Sequence, residues 1–261
     1  MRRFILLGLL LTTPAFADMH LALGAGESFT FRVGFGIFSN AGEIKITAKP
    51  ETDDRQPCLL VTTTTSTRGF VRNFYPFDAK AESVYRLSNG QMIVHTERSN
   101  GKKPTDTSLT FDYAKRTADF RNLFHPDRNQ IVPLPEGNPM DLISSLVQAR
   151  AWQLKPGDQI DALVMFEEEP YELTFHAERY EKVKTSLGTF NTLVLVPKME
   201  KTAPKGMFKR GSTVRVWISQ DERHLPVKFE VEFKFGSGVA TLVDYQPPAA
   251  PAPVAPRVSH P

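Results

Sequence analysis

Regular alternation of apolar and polar residues between Ser212 and Tyr245 is the feature that most constrains the fold. From Pro226 the chain reads Pro-Val-Lys-Phe-Glu-Val-Glu-Phe-Lys-Phe, so Val227 and every second residue after it share one face. A period of two is typical of a strand with one face on a core and the other in water. Similar alternation precedes and follows this run, and Gly236-Ser237-Gly238 can turn the chain. The pattern predicts an antiparallel meander.

Short β-type segments separated by turns fill most of the remaining chain. Six or seven of them precede residue 122, with Asn40-Ala41-Gly42 and Asn89-Gly90 as hairpin turns. Trp217 faces away from Val216, which indicates that the outer side of the meander is not simply exposed to water. The segment from 122 to 138 contains several prolines and is predicted to be a loop.

One convincing helix follows, at Pro139–Trp152. Asn138 can cap it, Pro139 suits the first helical position, and Asp141 suits the first turn. We therefore predict a mainly β fold: a curved antiparallel sheet or incomplete β-barrel with one central α-helix, packed on the open side or inside.

The chain divides into a leader, one domain and a tail. Met1–Ala17 has two arginines, an apolar run and an Ala-Phe-Ala ending, which predicts a secretory signal peptide cleaved after Ala17. A single β-rich domain is expected at 18–245, and the Pro/Ala-rich segment 246–261 is predicted to be a disordered tail. This organisation predicts a periplasmic protein.

Composition excludes several classes of function. Removing Arg2 and Arg3 with the leader lowers the formal net charge from +3 to +1, so no nucleic-acid partner is expected. The single cysteine, Cys58, precedes an apolar strand and is interpreted as a small buried residue. The chain carries no recognisable nucleotide, hydrolase or metal motif, and we predict no cofactor, metal or catalytic residue. A cation at Glu167-Glu168-Glu169 is less favoured than a solvated acidic turn.

The aromatic residues leave two interpretations open. The 19 phenylalanines could fill a closed core, or they could line a cavity for an apolar ligand. The residues proposed to line such a cavity are Phe229, Phe233, Phe235, Leu146 and Trp152.

A second candidate is the polar loop Lys198–Gly211, where basic side chains alternate with Met199, Met207 and Phe208. Such a loop could contact an anionic membrane surface or an acidic partner, or it could be an ordinary connection. The residues proposed for surface recognition are Lys198, Lys201, Lys205, Lys209 and Arg210.

Several sequence segments together resemble a known family. They are Gly26–Phe31, the helix segment 141–150, Leu154-Lys155-Pro156-Gly157-Asp158, Leu187–Thr192, and Val216–Asp221 with Arg223-x-x-Pro226-Val227. This set resembles a family of bacterial exported proteins described only as domain of unknown function 3108, over roughly Gly24 to Tyr245. The resemblance implies an envelope-associated β-protein, and its layout is similar by analogy to periplasmic lipoprotein carriers.

We expect a non-enzymatic binding or carrier module for an apolar or lipidic ligand, or for an envelope component. The first alternative is an assembly or scaffold protein that binds another envelope protein through an exposed sheet edge. A hydrolase acting on an envelope polymer is less favoured, because no pair of carboxylates identifies itself in the sequence.

Overall fold

The computed structural model describes residues 21–204, 208, 211–233 and 236–249. Strands of the first half are β1 Ser28–Phe35, β2 Phe38–Asp53, β3 Gln56–Thr67, β4 Asp78–Arg86, β5 Met92–Asn100, β6 Thr105–Asp112, β7 Thr117–Asn122 and β8 Gln130–Pro133. Strands of the second half are β9 Met140–Asp141, β10 Gln159–Phe166, β11 Glu169–Thr185, β12 Gly188–Lys198, β13 Thr213–Ser219, β14 Pro226–Phe233 and β15 Gly236–Gln246. Two α-helices, α1 Gly69–Phe74 and α2 Leu142–Gln148, and 3₁₀ turns at Pro126–Arg128 and Ala149–Ala151 complete the described elements.

All fifteen strands belong to one sheet with the order β8-β7-β6-β5-β4-β3-β2-β1-β15-β14-β13-β12-β11-β10-β9. Each half is a meander, and the two halves join where β1 pairs with β15. The only parallel pair in the described sheet is β9 with β10. The edge strands β8 and β9 follow one another in the chain, so the ends of the sheet are linked by residues 134–139. The predicted mainly β, curved-sheet architecture is confirmed.

The buried apolar side chains form two clusters. The larger cluster contains residues from both halves of the sheet, for example Phe31 of β1, Phe120 of β7 and Val194 of β12. The smaller combines α2 with β10–β14 and includes Leu195, the neighbour of Val194. Successive residues of β12 therefore enter different clusters, and this strand is buried on both faces.

The predicted antiparallel meander is present as β13, β14 and β15. The predicted turn at Gly236-Ser237-Gly238 was wrong, because these residues belong to β15 and pair with the end of β14. In β13, Val216 enters the smaller cluster and Trp217 the larger one. Trp217 is 2% exposed, and the Lys228 ammonium lies 3.9 Å from its ring centroid, which is a cation–π contact. The expectation that Trp217 is covered is confirmed.

The predicted helix Pro139–Trp152 is present but starts later than expected. Its cap is Asp141, whose Oδ1 accepts the Ser144 N–H at 2.9 Å. Asn138 and Pro139 lie outside it, because Met140 and Asp141 instead pair with β10. After Gln148 the helix tightens into the 3₁₀ turn that ends at Ala151. The predicted start of the helix was wrong. Tertiary contacts fix the side chain of Asp141, which therefore acts as the cap in place of Asn138.

Two local predictions also need correction, and α1 was not predicted. The first hairpin turns at Gly36, which has φ +56°, and the segment 40–42 lies within β2. Gly42 is needed there because a Cβ would approach the Ser66 carbonyl oxygen to 2.8 Å. The segment predicted to be a loop at 122–138 contains β8, which pairs with β7, and the aromatic stretch after Arg68 forms α1.

The leader and most of the tail fall outside the described residues. β15 continues to Gln246, and the Ala249 N–H donates to the Ala25 carbonyl at 2.8 Å. The first residues of the predicted tail therefore lie against the start of the domain. Cys58 is buried and unpaired, as expected.

The carboxylate of Asp141 anchors α2 to the first half of the sheet. Its Oδ2 accepts the hydroxyls of Ser144 at 2.6 Å, Ser83 at 2.7 Å and Tyr85 at 2.9 Å. Ser83 and Tyr85 belong to β4, so a single buried carboxylate joins β4, β9 and α2. Burial by itself raises the pKa of Asp141, but His95 and the hydrogen bonds from Ser144 and Ser83 outweigh it and lower the pKa below its usual value.

We predict that Asp141→Asn destabilises the fold by about 2–4 kcal/mol, because an amide cannot accept three hydroxyl donors on one oxygen. A lowered carboxyl pKa stabilises the folded state above the unfolded-state pKa of about 3.9, and this contribution is lost as the pH falls through the folded-state value. The difference between wild type and variant, measured by urea unfolding, should shrink as the solution is acidified below about pH 4.

Asp127→Asn is the matched control, since Asp127 is an exposed acid in the 3₁₀ turn before β8. Its unfolding free energy should stay within about 0.5 kcal/mol of the wild type. Equal effects of the two substitutions would contradict the anchoring role of Asp141.

Candidate functional site

A serine, a histidine and an aspartate meet inside the curved sheet. The Ser83 Oγ lies 2.8 Å from His95 Nδ1 and 2.7 Å from Asp141 Oδ2. Ser83 and His95 are directly paired across β4 and β5, whereas Asp141 comes from β9. These residue types serve in hydrolases, so their order decides what the group can do.

The hydrogen-bond order is not that of an activated nucleophile. The Asp141 carboxylate can only accept, so the Ser83 hydroxyl donates to it, and His95 Nδ1–H must then donate to Ser83 Oγ. A general base would need to accept the serine proton. Ser83 is also 2% exposed, so a substrate cannot reach it. This arrangement positions α2 and does not form a nucleophile.

A second buried charge fixes the other end of the helical segment. Arg150 Nη1 donates to Glu27 Oε1 at 2.7 Å, and Arg150 Nη2 donates to the Arg223 carbonyl at 2.8 Å. Glu27 is almost fully buried and also accepts the Tyr245 hydroxyl at 3.0 Å. Arg150 therefore links the end of α2 to the start of β1 and to the β13–β14 turn.

An open cleft of about 340 Å³ lies beside this anchor. Its apolar lining comes from the segment after α2 and from β12 and β13: Ala149, Leu154, Leu193, Leu195 and Ile218. Its polar lining consists of cationic, amide, imidazole and phenol groups: Arg150, Gln153, Lys155, Tyr180, Gln220 and His224. None of the described residues that line this cleft carries a carboxylate.

Two residues of the cleft have unusual backbone conformations. Gln153 has φ +48° and His224 has φ +46°, in the left-handed region that non-glycine residues rarely adopt. Gln153 follows the 3₁₀ turn after α2, and His224 ends the β13–β14 turn. Residues with this strained backbone persist only where surrounding contacts hold them in place. In many proteins they cluster at ligand sites.

The predicted cavity residues are distributed over three environments. Leu146 is buried in the smaller cluster, where Trp152 packs edge-on against Phe175 at 4.9 Å between ring centroids. Phe229 contacts both clusters and lies 5.0 Å from the Phe31 ring. Phe233 is 45% exposed, and Phe235 lies outside the described residues. None of the four described members of this group lines the cleft beside Arg150.

The basic loop is only partly described. Lys198 ends β12, and Lys201 Nζ binds the carboxylates of Asp161, at 2.8 Å, and Glu172. These two carboxylates raise the pKa of Lys201. Met199 and Phe208 are buried, so they are not available to a membrane. Lys205, Lys209 and Arg210 lie outside the described residues, and their role stays a prediction.

The acidic turn of β10–β11 forms ion pairs with an arginine of the same chain. Arg128 Nη2 donates to Glu167 at 2.7 Å and to Glu168 at 2.5 Å, which ties the first half of the sheet to the second. Among residues 21–204, 208, 211–233 and 236–249, no three potential ligands lie close enough to hold a metal ion. None of the helices in this part of the chain is long and apolar enough to cross a bilayer.

The family model for proteins of unknown function DUF3108 matches residues 29–243, which is nearly the whole described domain. The chain belongs to the DUF3108 family. The resemblance drawn from the sequence is thereby confirmed. None of the curated proteins matches the chain.

Solved structures that match this DUF3108 chain have little sequence in common with it. A β-barrel-like DUF1849 protein from Brucella abortus matches with a TM-score of 0.52 and 6% identity, covering 85% of this chain and 98% of that one. A candidate lipoprotein from Parabacteroides distasonis gives 0.36 and 10%, covering 88% and 100%. The Mycobacterium tuberculosis lipoprotein LppX gives 0.26 and 16%, covering 87% and 90%. The first of these supports the β-barrel-like fold alone.

Sequence reasoning missed both the buried polar group and the cleft. Ser83 and Asp141 are 58 residues apart, and Glu27 and Arg150 are 123 apart, so no local spacing relates them. The sequence does carry a weaker signal than a motif of fixed spacing. Ser83 and Glu27 are polar residues at positions where strand alternation predicts an inward side chain. A buried polar group needs a partner, and that requirement points to a distant charge.

Glu97 offers a test of the electrostatics inside the sheet. It lies two residues after His95 on β5, and burial is the main cause that raises its pKa, with Glu167 and Asp141 adding to the effect against His95. A raised carboxyl pKa favours the protonated folded protein, so stability is lost as the pH rises through the folded-state value. We expect Glu97→Gln to increase the free energy of unfolding at pH 7.

The gain should disappear below about pH 3, where the carboxyl is protonated in both states. Glu136→Gln, at an exposed loop position, serves as the control and should leave stability unchanged at both pH values. A Glu97→Gln variant less stable than the wild type at pH 7 would show that the ionised carboxylate contributes to the fold.

Proposed function

We propose that this protein is a non-enzymatic binding or carrier module, exported to the periplasm, for an amphiphile with an apolar chain and an anionic head. The ligand would lie in the cleft between the segment 149–155 and strands β12 and β13. The observation that carries the proposal is the cleft lining, in which leucine and isoleucine meet basic and amide groups without a carboxylate. Ligand clefts combine an apolar lining with a few polar groups in this way.

The size and charge of the cleft support this ligand class. Its volume of about 340 Å³ lies at the lower end of the range for small-molecule sites, roughly 300–1,000 Å³. Leu154 and the ring of Tyr180 offer apolar contact at its sides, while Lys155 and His224 offer donors to an anionic group. Arg150 adds positive charge, although its guanidinium is already bonded to Glu27.

The serine that meets a histidine and an aspartate gives no support to a hydrolase. Ser83 is inaccessible, and its proton is directed at Asp141. The alternative of binding through a sheet edge has less support, because the edge strands β8 and β9 have four and two residues. The proposal that the protein is exported rests on the predicted leader Met1–Ala17, which precedes the described residues.

The test uses cis-parinaric acid, an anionic fluorescent fatty acid, and its uncharged methyl ester. We expect the full chain to bind the acid, and Lys155→Met to weaken that binding threefold to tenfold, or roughly 1 kcal/mol for a solvent-exposed charge pair. Binding of the methyl ester should change little, because the apolar lining is retained. Fluorescence titration measures both affinities.

Lys184→Met provides the matched control, since Lys184 is an exposed lysine on β11 that does not line the cleft. Equal weakening by Lys155→Met and Lys184→Met would place the ligand elsewhere. If neither probe binds, and native mass spectrometry of gently purified protein finds no lipid, the carrier proposal is wrong.

A further inference from the structure

An exposed group of apolar side chains lies at the far end of β1. Its members, called the aromatic patch here, come from the β1–β2 turn and from α1: Phe35, Ile37, Phe38, Phe70 and Phe74. Ile37 is 91% exposed, Phe74 68% and Phe70 59%. The Phe70 ring stacks on Phe38 at 5.7 Å and contacts Phe74 at 4.8 Å between centroids. Contiguous exposed apolar surface usually marks an interaction site.

Helix α1 is held in place by hydrogen bonds and an ion pair, and not by side chains buried in a core. None of its residues is buried. A helix of six residues is unstable alone, so external bonds must maintain it. The Arg68 N–H donates to the Ala41 carbonyl at 2.8 Å, and Arg72 forms two bonds to the Asp78 carboxylate at 2.9 and 2.7 Å. These bonds keep Phe70 and Phe74 in solvent.

Basic groups surround the aromatic patch. An open pocket of about 450 Å³ beside it is lined by Arg32, Ser39, Asn40, Glu43 and Arg68. Arg68 is paired with Glu43 at 2.8 Å, whereas no carboxylate of the described residues lies within ion-pair distance of Arg32. On the other side of α1, Lys102 lies 5.7 Å from the ring centroid of the exposed Tyr75.

We propose that the aromatic patch is a membrane-docking surface for bilayers that contain anionic phospholipid. Ile37, Phe70 and Phe74 enter the boundary between head groups and acyl chains, where aromatic and aliphatic side chains are favoured. Arg32 binds a lipid phosphate in the adjacent pocket, with the Ser39 hydroxyl and the Asn40 amide as further donors. Lys102 and Lys103 add attraction to the anionic surface.

Charge is the reason for choosing a lipid surface as the occupant. Arg32 and Arg68 line the pocket beside the aromatic patch, and Arg72 lies in α1. Lys102, which Lys103 follows in the chain, lies over the ring of Tyr75. The carboxylates that pair with these basic groups are Glu43 and Asp78. Both carboxylates are already paired with arginine, so the remaining field is positive. Apolar side chains at a protruding turn, ringed by basic residues, match a negatively charged interface.

This surface is separate from the proposed ligand cleft. Glu27, which binds Arg150 of the cleft, precedes β1, whereas Phe35 ends it. A strand of eight residues spans about 26 Å. Substitutions in the aromatic patch should therefore leave binding of cis-parinaric acid unchanged, and the two proposals can fail independently.

The experiment is co-sedimentation of the full chain with two kinds of vesicle: phosphatidylcholine mixed with phosphatidylglycerol, and phosphatidylcholine alone. We expect binding to the anionic vesicles, and the double variant Ile37→Ser/Phe74→Ser should reduce the partition coefficient by at least about tenfold. Arg32→Gln should reduce binding to the anionic vesicles and leave the weak binding to phosphatidylcholine unchanged. Thermal unfolding confirms that each variant is folded.

The matched control is Ile131→Ser/Phe124→Ser, which removes one isoleucine and one phenylalanine that are 58% and 50% exposed outside the aromatic patch. Its partition coefficient should equal that of the wild type. Equal losses in both double variants would overturn the proposal, because binding would then follow exposed apolar area in general. No binding to either vesicle would also overturn it and leave a protein partner as the occupant. A third outcome would overturn the proposal and identify the pocket as a free-phosphate site. In it, excess inorganic phosphate abolishes vesicle binding, while Ile37→Ser/Phe74→Ser binds vesicles as well as the wild type does.

Discussion

The buried carboxylate of Asp141 is the interaction on which the position of α2 depends. Moving a carboxylate out of water costs several kcal/mol, so it persists only where its lone pairs are satisfied. Here both oxygens accept hydrogen bonds, from Ser83 and Tyr85 of β4 and from Ser144 of α2. Because the donors come from distant parts of the chain, the carboxylate is satisfied only when the second half of the sheet closes on the first.

Arg150 repeats this arrangement at the other end of the same segment. Its partner Glu27 precedes β1, so α2 is fixed at one end to β4 and at the other to β1. A buried ion pair contributes little net stability compared with an apolar pair of similar shape. Its geometry is more demanding, however, and the two anchors together specify where the helical segment lies. The cleft beside Arg150 therefore has one wall, residues 149–155, whose position is set by charge.

Sequence patterns predicted the strands well and the connections less well. Alternation located the meander and the covered face of Trp217, because a period of two is set by the backbone itself. It missed β8, whose proline and short length resemble a loop, and it started the helix at Pro139 where Asp141 is the cap. Both errors arise from tertiary contacts, since β7 provides the partner of β8 and Ser83 holds the capping carboxylate. The candidate site was even less predictable than the connections, because Arg150 and Glu27 meet only in the folded chain.

The abundance of phenylalanine has a third explanation beyond a filled core or a lined cavity. The fully buried rings do fill the clusters: Phe29, Phe31, Phe120 and Phe175. Phe70 and Phe74, by contrast, stay exposed on a helix that is fixed by Arg68 and Arg72 and not by apolar burial. Phe70 stacks on Phe38 of β2 and still remains 59% exposed, and Phe74 remains 68% exposed. Hydrogen bonds and an ion pair fix the helix that presents these rings, which is the arrangement expected when exposed apolar surface serves binding.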